Sequence, residues 1–169
     1  MQYKMKYSSP IGEMLLSCDD TGLTGAWFAG QKYFAARLDE NALECEHEHL
    51  AAAAKWLDIY FSGHEPDFMP KLHTPASDFR MTVWEELLKI PYGKTVSYGE
   101  IAAAIAVRSG KEKVSARAVG GAVGHNRISV IIPCHRVVGA DGSLTGYAGG
   151  TDKKLALLKL EQADAKFRY

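Results

Sequence analysis

Pro133-Cys134-His135-Arg136-Val137 follows the apolar run Ser129–Ile132 and precedes the glycine-rich segment Val138–Gly150. A β-branched run that ends at a proline is typical of a buried strand leading into a turn, which would place Cys134 at the mouth of a hydrophobic core. A thiol reacts only as the thiolate, and its ordinary pKa is about 8.5. A reactive cysteine therefore needs a base or a positive charge nearby, and His135 and Arg136 are candidates. Taken alone, the pattern favours an inert core cysteine, which is the usual role of a free thiol.

The 169-residue chain has no net charge, but its two halves differ. Residues 1–79 contain 6 Lys/Arg and 12 Asp/Glu, a net charge of −6, whereas residues 80–169 contain 14 and 8, a net charge of +6. The second half is therefore the one suited to binding phosphate. Three cysteines at irregular spacing favour a reducing compartment over a disulfide framework. No apolar stretch reaches the about 20 residues of a membrane span, so we expect a soluble, cytoplasmic protein.

The first half has the pattern of a small antiparallel sheet covered by one helix. Strands are predicted over residues 1–7, 14–18 and 23–28, with the turn residues Asp19–Gly22 between the last two. Apolar residues at helical spacing predict a helix from Leu50 to Phe61, which Gly63 would end. The acidic and histidine-rich residues 44–49 would project in different directions, so we interpret them as solvated surface and expect no metal site.

A connector separates the two halves. Residues 64–77 contain three prolines and show no sustained period, which predicts a boundary between an N-terminal α/β domain, residues 1–76, and a C-terminal domain, residues 77–169.

The second half is predicted to be mostly helical. A helix over residues 79–90 would be capped by Asp78. Ser97 and Glu100 form a capping box at the start of a second helix, and the polar turn 108–113 leads to a third helix, residues 115–123. This arrangement predicts an α+β protein whose C-terminal domain is a winged-helix-like helix-turn-helix.

The third helix is nearly bare of side chains. Each glycine inside a helix costs about 1 kcal/mol relative to alanine, so a compensating role is expected for Gly120 and Gly121. Tight helix packing is one explanation. The other is close approach to the minor groove of DNA, which is only about 6 Å wide, with Arg117 projecting from a slim surface.

Three motifs together resemble the O6-alkylguanine-DNA alkyltransferase family, the methylated-DNA–protein-cysteine methyltransferases. They are residues 116–122, residues 133–137 and the loop 142–150. The resemblance extends from about Phe79 to Glu161, and in the first half it is limited to Ser9–Gly12 and the strands that follow. Residues 107–114 form a longer connection than in most relatives.

The resemblance implies a role for each candidate catalytic residue. Cys134 would accept an alkyl group from guanine O6, His135 would take the thiol proton and Glu161 would orient the imidazole. Asn126 would brace the turn before the nucleophile. Tyr98 would push on the phosphate 3′ to the lesion and donate a proton to the departing guanine.

The resemblance also implies a DNA-binding surface and a base pocket. The third helix would enter the minor groove, with Arg117 as a finger that fills the space of a flipped-out base. The implied DNA-contacting residues are Tyr98, Ser115, Ala116, Arg117, Ala118, Gly120, Gly121 and Arg127. The implied pocket residues are Val123, Pro133, Val137, Tyr147 and Ala148, the last replacing a serine common in the family.

A thioether has no hydrolytic exit, so the implied reaction is single-turnover repair of O6-alkylguanine, with O4-alkylthymine as a further candidate substrate. The implied partner is double-stranded DNA, and we expect a monomer without cofactor or metal. Two alternatives remain: a lesion sensor that binds DNA without transfer, which the presence of Cys134 disfavours, and a cysteine hydrolase built on Cys134, His135 and Glu161.

Overall fold

The computed structural model describes residues 1–144 and 146–163 and forms two compact units. The first unit comprises Met1–Pro75 together with Arg127–Ile131. The second comprises Ala76–Asn126 and the chain from Ile132 onward. The architecture is α+β, as the sequence predicts, and within the described ranges no helix has the length and apolar character needed to cross a membrane.

A four-stranded sheet and one helix form most of the first unit. Its elements are β1 (Tyr3–Ser9), β2 (Gly12–Cys18), β3 (Leu23–Phe28), β4 (Leu43–Glu44) and α1 (Glu48–Phe61). The strand order is β3-β2-β1-β4, and the antiparallel pairing of β1, β2 and β3 confirms the predicted sheet. The short β4, which the sequence did not predict, runs parallel to β1. Asp19 closes the predicted hairpin by accepting hydrogen bonds from the N–H groups of Thr21 and Gly22, at 2.9 and 3.0 Å.

Helix α1 packs its apolar face against the three long strands. Leu50, Leu57 and Tyr60 are fully buried, and each apolar side chain of this size stabilises the unit by roughly 1.5–3 kcal/mol. The helix ends at Phe61 with Ser62 as its C-cap, and Gly63 follows with φ of +91°, as the predicted C-terminal glycine requires.

The apolar run 129–132 forms a turn rather than the predicted strand. Ile128 forms an isolated bridge with Ala26 of β3, but Val130 has φ of +73°, outside the range of any strand. The Ile131 N–H then donates to the carbonyl of Ser129 at 2.9 Å, so the chain reverses. The run is buried as predicted, because apolar composition predicts burial without fixing the backbone path.

Among its described residues, the second unit contains five helices and a two-stranded parallel sheet. They are α2 (Asp78–Leu88), β5 (Val96–Ser97), α3 (Tyr98–Ser109), α4 (Ala116–Gly124), a 3-10 helix (Cys134–Arg136), β6 (Val137–Val138) and α5 (Thr151–Leu160). Helices α2, α3 and α4 pack on one another, and α5 packs on the 3-10 helix. Since β5 leads directly into α3 and β6 directly follows the 3-10 helix, the pairing of Val96 with Val137 brings the start of α3 beside Cys134.

Helix caps in this unit follow local sequence closely. Ser97 and Glu100 form the predicted capping box, with hydrogen bonds of 3.1 and 3.0 Å between each side chain and the other residue's backbone N–H. The prediction that Asp78 caps α2 was wrong by one residue. Ser77 is the cap because its hydroxyl accepts from the N–H of Arg80 at 3.3 Å, which places Asp78 in the first turn.

Helix α3 is longer than predicted. It continues to Ser109 and ends at Gly110 with φ of +68°, so the first part of the predicted turn 108–113 is helical. Arg108 stabilises this last turn through ion pairs with Glu85 and Glu86 of α2. Residues 110–115 form the connection to α4.

Candidate active site and nucleic-acid interface

Cys134 begins the 3-10 helix and is 5% exposed. The side-chain amide of Asn126 donates to its sulfur at 3.1 Å and to the carbonyl of Ile132 at 3.0 Å. The N–H of Cys134 also donates to the carbonyl of Ile132, at 2.8 Å. One amide group of Asn126 therefore binds both the sulfur of Cys134 and the turn before it.

His135 and Glu161 form a fully buried pair. The ring Nε2 of His135 lies 2.5 Å from one carboxylate oxygen of Glu161. The other oxygen accepts from Nε of Arg136 at 2.8 Å and from the N–H of Gly93 at 3.0 Å. Glu161, at the C-terminal cap of α5, thus joins three segments that are distant in sequence.

The charge state of Glu161 follows from these contacts. Burial alone would raise its pKa, but the hydrogen bond from His135, the charge that His135 has when protonated, and the hydrogen bond and charge of Arg136 together outweigh burial and lower the pKa to about 2. The carboxylate is therefore ionised near neutral pH and can only accept hydrogen bonds. An ionised acceptor at Nε2 requires that this nitrogen of His135 carry the proton, which leaves Nδ1 as the basic ring atom.

Cys134 is an uncharged thiol next in the chain to the uncharged imidazole of His135 at neutral pH. Burial raises the pKa of Cys134, against the opposing hydrogen bond from Asn126 and the positive charge of Lys154. Burial lowers the pKa of His135, against the opposing effect of Glu161. The thiol of Cys134 can therefore give its proton to the neutral imidazole of His135 during a reaction, and neither group must first bind or release a proton.

Tyr98, the first residue of α3, lies next to Cys134 in this arrangement. Burial, followed by the charge of the Cys134 thiolate, raises the pKa of its hydroxyl, so Tyr98 keeps its proton at neutral pH and can donate it. One glycine allows its close packing. A Cβ on Gly146, which has φ of +86°, would lie 3.0 Å from the Tyr98 hydroxyl, whereas one on Gly120 of α4 would make ordinary van der Waals contact with the ring at 3.9 Å.

Helix α4 buries one face and exposes the other. Val119, Ala122 and Val123 are buried, and the indole N–H of Trp84 donates to the carbonyl of Ala122 at 2.9 Å. The residues of α4 that are exposed are Ala116, Arg117, Ala118 and Gly121. The exposed face is therefore a row of small residues with a single guanidinium.

The N-terminus of α4 is open to solvent. Ser115 caps it by accepting from the N–H of Ala118 at 3.3 Å. A Cβ added to Gly121 would meet no described atom within 4 Å, so helix packing does not require a glycine there. This observation favours an approaching partner over tight internal packing as the reason for the small residues.

The predicted pocket residues occupy the segments next to the nucleophile. Pro133 and Val137 flank the 3-10 helix and are buried, and Tyr147 and Ala148 precede α5. Val123 points into the unit from α4, at 3% exposure. Thr145, part of the loop motif, lies outside the described residues.

Arg127 does not fit the role expected for it. It is 6% exposed, belongs to the first unit, and its guanidinium donates to the carbonyl of Pro75 at 2.8 Å. A buried arginine that binds its own backbone is not placed to contact phosphate. The resemblance implied a DNA contact for Arg127, but the distant contact with Pro75 is not visible in the sequence around it.

The sequence analysis did not predict the contacts of two charged residues in this region, Arg136 and Lys154. Arg136 was considered only as a positive charge near Cys134, whereas its side chain binds Glu161 and also donates to the carbonyl of Ile90 at 2.7 Å. Lys154 was not considered, although it shares one face of α5 with Leu157 and Leu158, three and four residues later. A lysine on the apolar face of a helix is a signal that could have identified it.

The chain matches two family models along its length. Residues 2–73 match "6-O-methylguanine DNA methyltransferase, ribonuclease-like domain" and residues 78–163 match "6-O-methylguanine DNA methyltransferase, DNA binding domain". A methylated-DNA–protein-cysteine methyltransferase of Mycobacterium tuberculosis is 43% identical over 93% of this chain and 90% of the relative. One from Methanosarcina acetivorans is 44% identical over 94% of this chain and 97% of the relative.

Solved structures give the same result. The crystal structure of Mycobacterium tuberculosis OGT in complex with DNA superposes with a TM-score of 0.81 at 40% identity, covering 96% of this chain and 94% of that one. An O6-methylguanine DNA methyltransferase from Methanococcus jannaschii superposes with a TM-score of 0.65 at 28% identity, covering 98% of both chains. This chain therefore belongs to the 6-O-methylguanine DNA methyltransferase family.

Proposed function

We propose that this protein repairs DNA by transferring the alkyl group of O6-alkylguanine in duplex DNA irreversibly to Cys134. The observation that carries the proposal is a pair of hydrogen bonds at adjacent residues, Asn126 to Cys134 and His135 to Glu161, within the second unit of a chain that belongs to this family. O4-alkylthymine is a further candidate substrate, because it presents the same kind of alkyl–oxygen bond.

The first step is formation of the thiolate. Nδ1 of His135 accepts the thiol proton, through a water molecule, while Glu161 holds Nε2 and balances the positive charge of the imidazolium. The amide of Asn126 donates to the sulfur and stabilises its negative charge.

The second step is displacement at the alkyl carbon. The Cys134 sulfur forms a bond to carbon while the carbon–O6 bond breaks, and its electron pair stays with guanine. Tyr98 supplies a proton to the departing base and regains one from the imidazolium of His135. The product is a thioether and an unmodified guanine, and since water does not cleave a thioether, each protein molecule reacts once without cofactor.

The alkylated base must leave the helix stack to reach a nucleophile that is 5% exposed. Unstacking costs a few kcal/mol, less where the lesion has already weakened pairing. Helices α3 and α4 act as a helix-turn-helix whose second helix enters the minor groove. The exposed small residues of α4 allow close approach, and Arg117 fills the space that the base leaves.

The direct test is the intact mass of the protein after mixing with duplex DNA that bears one O6-methylguanine. We expect the mass to rise by one methylene on the peptide that contains Cys134, and the reaction to stop at one equivalent. Cys134→Ala should bind the same duplex but gain no mass, whereas Cys45→Ala, which removes an exposed cysteine, should react as wild type does. Repair of many lesions per protein molecule would contradict the stoichiometric mechanism, and DNA binding without mass gain would indicate a lesion sensor.

A further inference from the structure

The segment between the caps of α3 and α4, residues 111–114, displays two lysines to which the proposed function gives no task. Lys111 and Lys113 are both exposed. Among the residues that the structure describes, neither side chain has an ion-pair or hydrogen-bond partner. Both ammonium groups are therefore available to an anion outside the protein.

Other basic residues of the second unit are held by carboxylates of the same unit. Arg108, in the last turn of α3, forms ion pairs with Glu85 and Glu86 of α2. Arg136 is buried and forms an ion pair with Glu161. A cation that already has a carboxylate partner attracts an external anion less strongly than one without a partner. The two lysines of residues 111–114 differ from these arginines in that respect.

The backbone of this segment is fixed at both ends. The N–H of Lys111 donates to the carbonyl of Ala106 in α3, at 3.0 Å. Val114 is half-buried, and the next residue, Ser115, caps α4 with its hydroxyl. A segment whose backbone is already ordered loses less conformational entropy when it binds a partner. The lysines are thus presented from a preformed support.

The segment also lies next to the helix that enters the minor groove in the proposed function. Lys113 precedes Ser115 by two residues, which span at most about 7 Å. The minor groove is only about 6 Å wide, so a helix at its mouth has a phosphate backbone on either side. The single basic residue of α4 is Arg117, which is assigned to the space of the flipped base. Charge that neutralises phosphate is therefore expected from residues beside α4.

We propose that residues 111–114 are a second DNA-contacting segment, in which Lys111 and Lys113 each neutralise one phosphate beside the groove that α4 enters. The inference rests on the proposed function, because it requires α4 to be the groove helix. The two lysines increase affinity for any duplex and read no base sequence, since the phosphate is the same at every base pair. Glu112, which lies between them in the chain, opposes this attraction.

The test is the salt dependence of binding to an undamaged duplex, measured by fluorescence anisotropy. It compares wild type with the double variant Lys111→Gln, Lys113→Gln. Each phosphate contact contributes about −0.9 to the slope of log K against log[salt], so the slope of the double variant should be shallower by about 1.8. Between 50 and 200 mM NaCl, wild type should then lose about 10-fold more affinity than the double variant. Each single variant should show about half of the change in slope.

Two further variants serve as controls. Lys89→Gln removes an exposed lysine that is already paired with Glu86, so the slope should stay at the wild-type value. Glu112→Gln removes the acidic group of the segment and should strengthen binding, whereas a purely conformational effect of substitutions here would weaken it. The Tm of the double variant should equal that of wild type, because both lysines are exposed.

Neutral methylphosphonate linkages, placed one at a time in the duplex, locate the contacts. At the contacted phosphates the neutral linkage should weaken binding of wild type but not of the double variant. The inference is overturned if the double variant keeps the wild-type slope, or if every linkage affects both proteins equally, even when wild type repairs DNA. Failure of wild type to bind the duplex would instead overturn the proposed function.

Discussion

Replacing Glu161 with glutamine should reverse the proton placement on His135 while leaving the shape of the site nearly unchanged. One carboxylate oxygen accepts from both Arg136 and the Gly93 N–H, so the amide oxygen of glutamine must occupy that position. The amide NH₂ then faces Nε2 of His135, where the ionised carboxylate used to accept. Since an NH₂ group can only donate, Nε2 must become the acceptor and Nδ1 must carry the proton. The variant therefore lacks a base for the thiol.

The expected cost in stability follows from the pKa of Glu161. Its fall from the ordinary 4.5 to about 2 corresponds to about 3 kcal/mol of stability at neutral pH, at about 1.4 kcal/mol per unit. For a chain of 169 residues this is a fall in Tm of about 6–12 °C. Because the folded pKa is the lower one, the contribution is complete above about 4.5 and disappears as pH falls toward 2. The gap between wild type and Glu161→Gln should therefore close in acid.

Two assays separate chemistry from stability. Urea unfolding at neutral and acid pH measures the stability difference, and single-turnover transfer from O6-methylguanine duplex measures the chemistry. Loss of a general base slows a reaction about 10²–10⁴-fold, and we expect a decrease of this size. Glu86→Gln is the control, because Glu86 pairs with Lys89 and Arg108 outside the site and its loss should affect stability alone. Transfer by folded Glu161→Gln at the wild-type rate would refute the assigned proton placement.

Three further substitutions test other parts of the site. Arg117→Ala should slow transfer from duplex DNA but not from the free O6-methylguanine base. Its Tm should not change, because the side chain is exposed. An equal decrease in rate on both substrates would refute the role of Arg117 in filling the space of the flipped base. Asn126→Ala should lower the free energy of unfolding, measured in urea, by about 1–3 kcal/mol. It should also shift the pH dependence of Cys134 alkylation by iodoacetamide to higher pH, since the sulfur loses a hydrogen-bond donor. Gly146→Ala should lower stability by about 1–2 kcal/mol through its positive φ and also slow transfer, because the new methyl group would displace Tyr98. Gly110→Ala, with positive φ but open space around it, should lose stability without losing activity.

Features fixed by neighbouring residues could be predicted from the sequence. The capping box of Ser97 and Glu100 spans four residues, and the structure reproduces it. The bare exposed face of α4 and the strand pattern of the first half are equally local. The resemblance to a family also paired His135 with Glu161, which 26 residues separate, and the structure places these side chains 2.5 Å apart.

Features that depend on distant contacts could not be predicted. The hydrogen bond from the Gly93 N–H to Glu161 joins residues 68 positions apart, and nothing near either residue indicates the other. Arg127 is buried and donates to the carbonyl of Pro75, 52 residues away, so its neighbours in the sequence do not indicate its burial. The sequence around Val130 predicts a strand because β-branched residues favour extended backbone. The structure has a turn there, since tertiary contacts override this local preference.

The assignment of Arg127–Ile131 to the first unit has a consequence for how the protein is made. On the ribosome the N-terminal residues emerge first, and domains generally fold as they are completed. Here the first unit still lacks its partner for Ala26, whose N–H and carbonyl bind Arg127 and Ser129, until more than fifty further residues have been synthesised. By then α2, α3 and α4 have already been synthesised. Translation therefore cannot finish the first unit before most of the second has been made, and dividing the chain after Pro75 would leave the first unit without Arg127–Ile131.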